Sequence, residues 1–193
     1  MHLSATRPLG RTALLLCLAV PAAAEDRSAD FPQLWGEYLE LCGQAAADPE
    51  KHLAAAPNLP NEWQTFFLER ADHNESSFEA GSPNRLRSGS YHLTRLDESY
   101  QLFCEVASFV AEGIDVQRTS DGIVGMLNAT PQLGYSGGEL TPTAGTEMTR
   151  DNAFVLPWYS VTVVGAFPTQ NWGTRIDIQS EQMTITTHGN IIR

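Results

Sequence analysis

The chain has 193 residues, 42% of them hydrophobic, which is enough for one buried core. Its 23 acidic and 12 basic residues give a net charge of −11, and Lys51 is the only lysine. Because nucleic acids and anionic lipid headgroups need clustered cations, this balance argues against both as partners. It suits either simple solubility or a cationic partner.

The first 24 residues have the three parts of a secretory signal peptide. Arg7 and Arg11 give a basic start, an apolar run follows over 13–20, and small residues lead up to Ala24. The apolar run is far shorter than the ~20 residues that a membrane-spanning helix needs. We therefore predict cleavage after Ala24, leaving 25–193 as a single periplasmic or secreted domain without a membrane span. Retention of the signal as an anchor is the alternative.

Two cysteines, Cys42 and Cys104, remain once the signal has taken Cys17. Cysteines in an oxidising compartment most often pair, so we expect one disulfide between them. A redox-active pair is the alternative, but the C-x-x-C spacing typical of that chemistry is absent. The expected disulfide is therefore structural.

The mature chain begins with a helical pattern. After a short, frayed polar tail at 25–29, Asp30 is placed to cap a helix. Apolar residues then recur at helical spacing from Leu34 to Ala45, on a stripe that includes Cys42. The first helix is therefore predicted to turn Cys42 towards the core.

Two further segments are predicted to be helical. Asp48 and Pro49 repeat the helix-start signal, and a short second helix follows them. The aromatic residues and the arginine within 61–71 suit a helix better than a strand.

A period of two, typical of strands, begins after a turn at 81–84. Residues 91–96 alternate, 97–99 form a turn, and the apolar run 100–110 carries Cys104 near its middle. This pattern predicts an antiparallel hairpin with the cysteine on its second strand.

The remainder of the chain is predicted to be one helix, a long loop and strands. The helix starts at Asp115, and 130–152 is a Gly-, Thr- and Pro-rich loop. Residues 154–167 suit a strand, with Pro157 near an edge or bulge. Alternation then changes phase near 180–181, which indicates a tight hairpin or a bulge.

This order of elements lacks regular βαβ alternation, which favours the α+β class. We predict an antiparallel sheet of about four to six strands, with two to four helices packed on one face. The disulfide would tie the first helix to the first hairpin, and the other face of the sheet would meet water.

One segment matches the G-x-S-x-G pattern of serine hydrolases. It spans 134–138, with Ser136 as the nucleophile and His188 downstream. A nucleophile elbow needs a strand before it and a helix after it, but Pro131 and Pro142 flank this segment. A flexible glycine loop is the better interpretation.

Metal and cofactor patterns are absent from the sequence. The histidines show no zinc spacing and the acids no calcium loop, so no metal or cofactor is expected. Paired carboxylates, as in glycoside hydrolases, stay open because the sequence cannot say which acids meet. The candidates near the predicted sheet are Asp97, Glu98, Glu105, Glu112 and Asp115.

Four aromatic residues, Tyr135, Trp158, Tyr159 and Trp172, lie in or beside the predicted long loop and C-terminal strands. They suit a groove for a small ligand or peptide, although such residues are more often ordinary core. Without a catalytic constellation, we expect an exported, non-enzymatic protein that binds an envelope protein or a small ligand. A small secreted hydrolase, with a site assembled only in the fold, is the alternative.

Overall fold

The computed structural model describes residues 24–71, 73–110, 113–129, 140–148, 155–164 and 173–192, with the backbone alone for 140–148 and 155–164. Residues 1–23 of the predicted signal peptide, which spans 1–24, lie outside this part of the chain. The helices are α1 (Phe31–Tyr38), α2 (Gln44–Ala47), α3 (Pro49–Ala54) and α4 (Val116–Ala129). The strands are β1 (Gln64–Ala71), β2 (Glu75–Gly81), β3 (Arg87–Arg95), β4 (Ser99–Phe109), β5 (Leu140–Met148), β6 (Val155–Val164), β7 (Gly173–Ile178) and β8 (Gln182–Ile192).

All eight strands belong to one antiparallel sheet, in the order β1-β2-β3-β4-β8-β7-β6-β5. Each half of the sheet is a four-stranded meander, and the two halves meet at the centre through their last strands. There β4 and β8 pair along their full length, from Ser99 opposite Ile192 to Phe109 opposite Gln182. The centre of the sheet therefore joins the middle of the chain to its final described strand.

The helices cover one face of this sheet. A π-helical segment, Leu39–Gly43, connects α1 directly to α2. The Tyr38 hydroxyl on α1 lies 2.9 Å from the Thr174 hydroxyl on β7, which places α1 against the inner face. Ile123 and Leu127 of α4 join the same buried cluster. The α+β class is confirmed. Six strands of the sheet have described side chains, and β5 and β6, described by their backbone alone, bring the sheet to eight strands.

The predicted disulfide is present. Cys42 lies in the π-helical segment and Cys104 in the middle of β4, both without solvent exposure. The helix packs so close to the sheet that a side chain at Gly89 of β3 would collide with it. An added Cβ there would lie 2.7 Å from Leu41 and 2.9 Å from Trp63. The disulfide thus ties the helical segment after α1 to the hairpin that the sequence predicted, which is β3–β4 in the structure.

The helix predicted over 61–71 is wrong. The chain forms β1 there, paired with β2 and exposed at every position. The spacing of the aromatic residues in 61–71 matched a helix, but these residues do not form the buried face of one. Pairing with β2, a strand that the sequence pattern did not predict, overrides the local preference.

The long loop predicted over 130–152 is partly wrong. Residues Leu140–Met148 form β5, an edge strand paired with β6, while 130–139 lie outside the described residues. Pro157 of β6 lies opposite Thr146 of the edge strand β5 and beyond the end of β7, so β5 is its one paired neighbour among the described strands. The predicted edge-like position of this proline is confirmed.

The N-terminal predictions need two corrections. Glu25, expected in a frayed tail, forms a parallel bridge with Ile114. Asp30 makes no capping hydrogen bond, because a 3-10 turn, Ser28–Asp30, leads directly into α1. The second start signal is confirmed, since the Asp48 carboxylate accepts a hydrogen bond from the Lys51 backbone N–H at 3.2 Å. Among the helices of the described residues, none is long and apolar enough to cross a membrane.

Candidate functional site

The sheet face that points away from the helices carries the candidate site. Side chains alternate along each strand, so one set is buried under the helices and the other faces outwards. We call the outward set on β2, β3, β4, β7 and β8 the open face. It holds charged, hydroxyl and imidazole side chains together with exposed Phe103.

Glu79, Ser90, Glu105 and Thr186 form one cross-strand row on the open face. The pairs are Glu79 with Ser90, Ser90 with Glu105, and Glu105 with Thr186. Neighbouring strands lie about 4.8 Å apart, so the two glutamate backbones are roughly 10 Å apart. Two carboxylates therefore stand on either side of a serine hydroxyl.

A depression of about 170 Å³ lies over this row, with Phe66 as one wall. Phe66 sits at an irregularity in β1, between paired Thr65 and Phe67. Its ring lies over Gly81, where an added Cβ would be 2.9 Å from the ring. The Arg85 guanidinium stacks on the same ring at 5.2 Å from its centroid. Phe66 thus already binds one cation.

The electrostatics of the depression centre on Glu105. Burial raises the pKa of this carboxyl above its usual value, and the nearby negative charge of Asp177 raises it further. A hydrogen bond of 3.4 Å from the Thr186 hydroxyl acts in the opposite direction. Neither the Glu79 nor the Glu105 carboxylate is held in an ion pair with a described residue.

We expect the E105Q variant to be more stable than the wild type at pH 7. A carboxyl whose folded pKa is raised stabilises the fold only while protonated, so stability is lost as pH rises through that pKa. The gain should vanish at about pH 3, where the carboxyl is protonated in both the folded and the unfolded state. Urea unfolding at the two pH values measures the difference.

The matched control for this measurement is E98Q, on the exposed turn between β3 and β4. It removes the same charge from a different place. An equal gain in both variants would show that net charge alone, and not the burial of Glu105, sets the effect.

A second polar cluster surrounds His92 on the open face. The Ser77 hydroxyl lies 2.8 Å from Nδ1, and the Glu75 carboxylate lies 2.9 Å from Nε2. The Thr94 hydroxyl also approaches Nε2, at 3.2 Å. The serine, imidazole and carboxylate resemble the arrangement that activates a nucleophile.

The surroundings of Ser77 do not complete such a site. Acyl transfer needs N–H donors aimed at the developing oxyanion. Ser77 lies within β2, which pairs with β1 on one side and β3 on the other, so the local N–H groups serve the sheet. The cluster therefore holds His92 in place without an evident oxyanion site.

A separate cavity of about 280 Å³ lies at the end of the sheet, beside α1. Arg87 lines this cavity, and its guanidinium forms an ion pair with the Glu37 carboxylate, whose side chain is 8% exposed. Gln33 donates to the same carboxylate at 3.2 Å. The charge of this cavity is thus balanced, unlike that of the depression.

Most of the site residues predicted from the sequence lie outside the described residues or on a strand described by its backbone alone. Tyr135 and Trp172 lie outside the described residues, as do Ser136 and Glu112, and Trp158 and Tyr159 lie on β6, whose side chains are not described. His188 is on the open face, opposite Phe103 with ring centroids 6.5 Å apart. Of the candidate acids that the structure describes, Glu105 alone lines the depression.

Sequence reasoning missed Phe66, Glu79 and Ser90. The signal for Glu105 was visible, because it is a lone acid within an apolar strand. Glu79 gave no such signal, since its strand was not predicted and its position depends on the pairing register.

In the part of the chain that the structure describes, no three His, Cys, Asp or Glu side chains converge on a point that could hold a metal ion. The site thus offers carboxylates, hydroxyls and an aromatic wall, which together suit an ammonium or guanidinium group. No protein-family model, curated protein or solved structure matches the chain.

Proposed function

We propose that this protein is an exported, non-enzymatic binding protein, and that the depression on its open face receives a cationic group of its ligand. The observation that carries the proposal is the pair of carboxylates beside the Phe66 ring, Glu79 and Glu105, which have no ion-pair partner among the described residues. Carboxylates bind ammonium and guanidinium groups through charge-assisted hydrogen bonds. The Phe66 ring, which already carries the Arg85 guanidinium, adds an apolar wall beside the carboxylates.

Export is supported by the signal pattern of the first 24 residues and by the buried disulfide between Cys42 and Cys104. Disulfides persist in the periplasm and outside the cell, and are rare in the cytosol. The net charge of −11 supports a cationic ligand, because an acidic surface raises the local concentration of cations.

The size of the depression limits what it can hold. A volume of about 170 Å³ has room for about five water molecules. It therefore fits the end of one lysine or arginine side chain, or a small amine, and not a whole drug-sized ligand. The rest of a larger ligand would lie on the surrounding sheet.

The proposal is tested by titrating the labelled protein with N-acetyl-lysine methylamide and following backbone amide shifts by NMR. We expect saturable shifts around Ser90 and Glu105. The E105Q and E79Q variants should each weaken binding about tenfold, the effect of one charge-assisted hydrogen bond. Binding should also weaken at acid pH, as Glu105 takes up its proton at a higher pH than an ordinary glutamate.

The E98Q variant is again the matched control and should bind like the wild type. Equal weakening in E98Q would reduce the effect to general attraction between opposite charges. Labelling of Ser77 by a fluorophosphonate would instead favour the alternative, a secreted hydrolase that uses Ser77, His92 and Glu75.

A further inference from the structure

The edge of the sheet beside the depression is open. In the described part of the chain, β1 has β2 as its single neighbour, and every residue of β1 is exposed. No described strand pairs with the backbone N–H and C=O groups of its other edge. Phe66, Phe67 and Leu68 are 43%, 43% and 38% exposed. Folded proteins usually protect such an apolar edge, so an unprotected one indicates a pairing site.

The residues of β1 that follow Phe66 pair regularly with β2. From 67 to 71, each residue lies opposite one residue of β2 without interruption. Phe67 and Glu69 pair with Glu79 and Ser77, so they lie on the open face. The residues between and after them, Leu68 and Arg70, lie on the other face.

We infer that β1 accepts an extended segment of a partner protein as a ninth strand, antiparallel to β1, with basic side chains on the open face. This inference rests on the proposed function, because the basic side chains would continue into the acidic depression. A basic residue would face Glu69, an apolar one would face Leu68, and an acidic one would face Arg70. Cross-strand pairs of opposite charge and of apolar residues stabilise a sheet.

The charge of the chain favours a different protein, and not a second copy of this chain, as the partner that pairs with the edge of β1. Two copies, each with a net charge of −11, repel one another as they approach. A basic segment is attracted instead. Backbone hydrogen bonds to the edge supply affinity in strand addition, and alternate side chains supply specificity.

The test uses a synthetic peptide, acetyl-KEKVKV-amide, which places lysine at alternate positions and glutamate and valine between them. We expect it to bind the wild type and to slow amide hydrogen exchange within 64–71. Two variants at exposed Leu68 should both weaken binding at least tenfold. They are L68K and L68E, which both remove the apolar contact with the facing valine, while L68K lowers and L68E raises the overall charge attraction to the net-positive peptide.

A second pair of probes tests the backbone pairing. Donors of one strand alternate between its two edges, so methylating every second peptide nitrogen blocks one edge only. Of the two peptides methylated in opposite phase, one should bind like the parent and the other should lose at least tenfold. Equal binding by both would overturn strand addition.

Other outcomes separate the two proposals. If L68E binds more tightly than the wild type, charge alone drives binding and the edge inference is wrong. If E105Q leaves binding unchanged while both Leu68 variants weaken it, the edge pairs with the peptide but the depression does not hold its cation. A wild-type dimer in sedimentation that L68E dissociates would identify a second copy as the occupant.

Discussion

Replacing both cysteines, in the C42A/C104A variant, is expected to lower the free energy of unfolding by about 4 kcal/mol. The disulfide closes a loop with a sequence separation of 62, and the expected loss is the entropy that this constraint removes from the unfolded chain. This is a large part of the ~5–15 kcal/mol by which a domain is stable. Urea unfolding at pH 7 measures the difference.

The wild type unfolded in urea with a reductant is the control, and it should lose a similar amount. Both cysteines have no solvent exposure, so the reductant should react only after unfolding. A loss below about 1 kcal/mol in the variant would mean that the unfolded chain already keeps helix one close to β4.

Replacing Arg87 with methionine is expected to cost about 3 kcal/mol at pH 7. The Glu37 carboxylate is 8% exposed, and without Arg87 it would be a buried charge without a counter-ion. The lower end of the usual cost applies because the Arg87 side chain is itself 26% exposed and partly screened by water. Urea unfolding of R87M and the wild type gives the value.

The cost should depend on pH in one direction. Burial already raises the pKa of Glu37, against the hydrogen bond and charge of Arg87. Loss of Arg87 raises that pKa further, so the destabilisation of R87M should shrink as pH falls and Glu37 takes up a proton.

The E37Q/R87M double variant removes the buried charge and should be more stable than R87M alone. A loss that is independent of pH, and that E37Q does not reduce, would assign the effect to packing of the arginine stem.

The fold was predictable where burial imposes a period on the sequence. The strands β3 and β4 alternate between the covered and the open face, so their hairpin, and Cys104 within it, followed from the pattern. No such alternation is imposed on β1, because it is exposed on both sides at the sheet edge. Its aromatic residues therefore gave a misleading helical spacing.

The candidate site was less predictable than the fold. A cross-strand row depends on register, and the register joins Glu79, Ser90, Glu105 and Thr186 from four strands. The sequence alone shows where the acidic residues lie along the chain, but not which of them become neighbours in a cross-strand row. The open face itself was predicted, from polar residues in the alternate positions of the C-terminal strands.

The pairing of β4 with β8 has a consequence for the order in which the protein assembles. One edge of β4 has no neighbour until β8 has been made, after α4 and three further strands. Because β4 and β8 are far apart in the sequence, we expect their pairing to be slow to form. Cys42 and Cys104 both precede α4 in the chain, so their disulfide can form before β8 has paired with β4. The two cysteines thus lie in the part of the chain that precedes the strand completing the centre of the sheet.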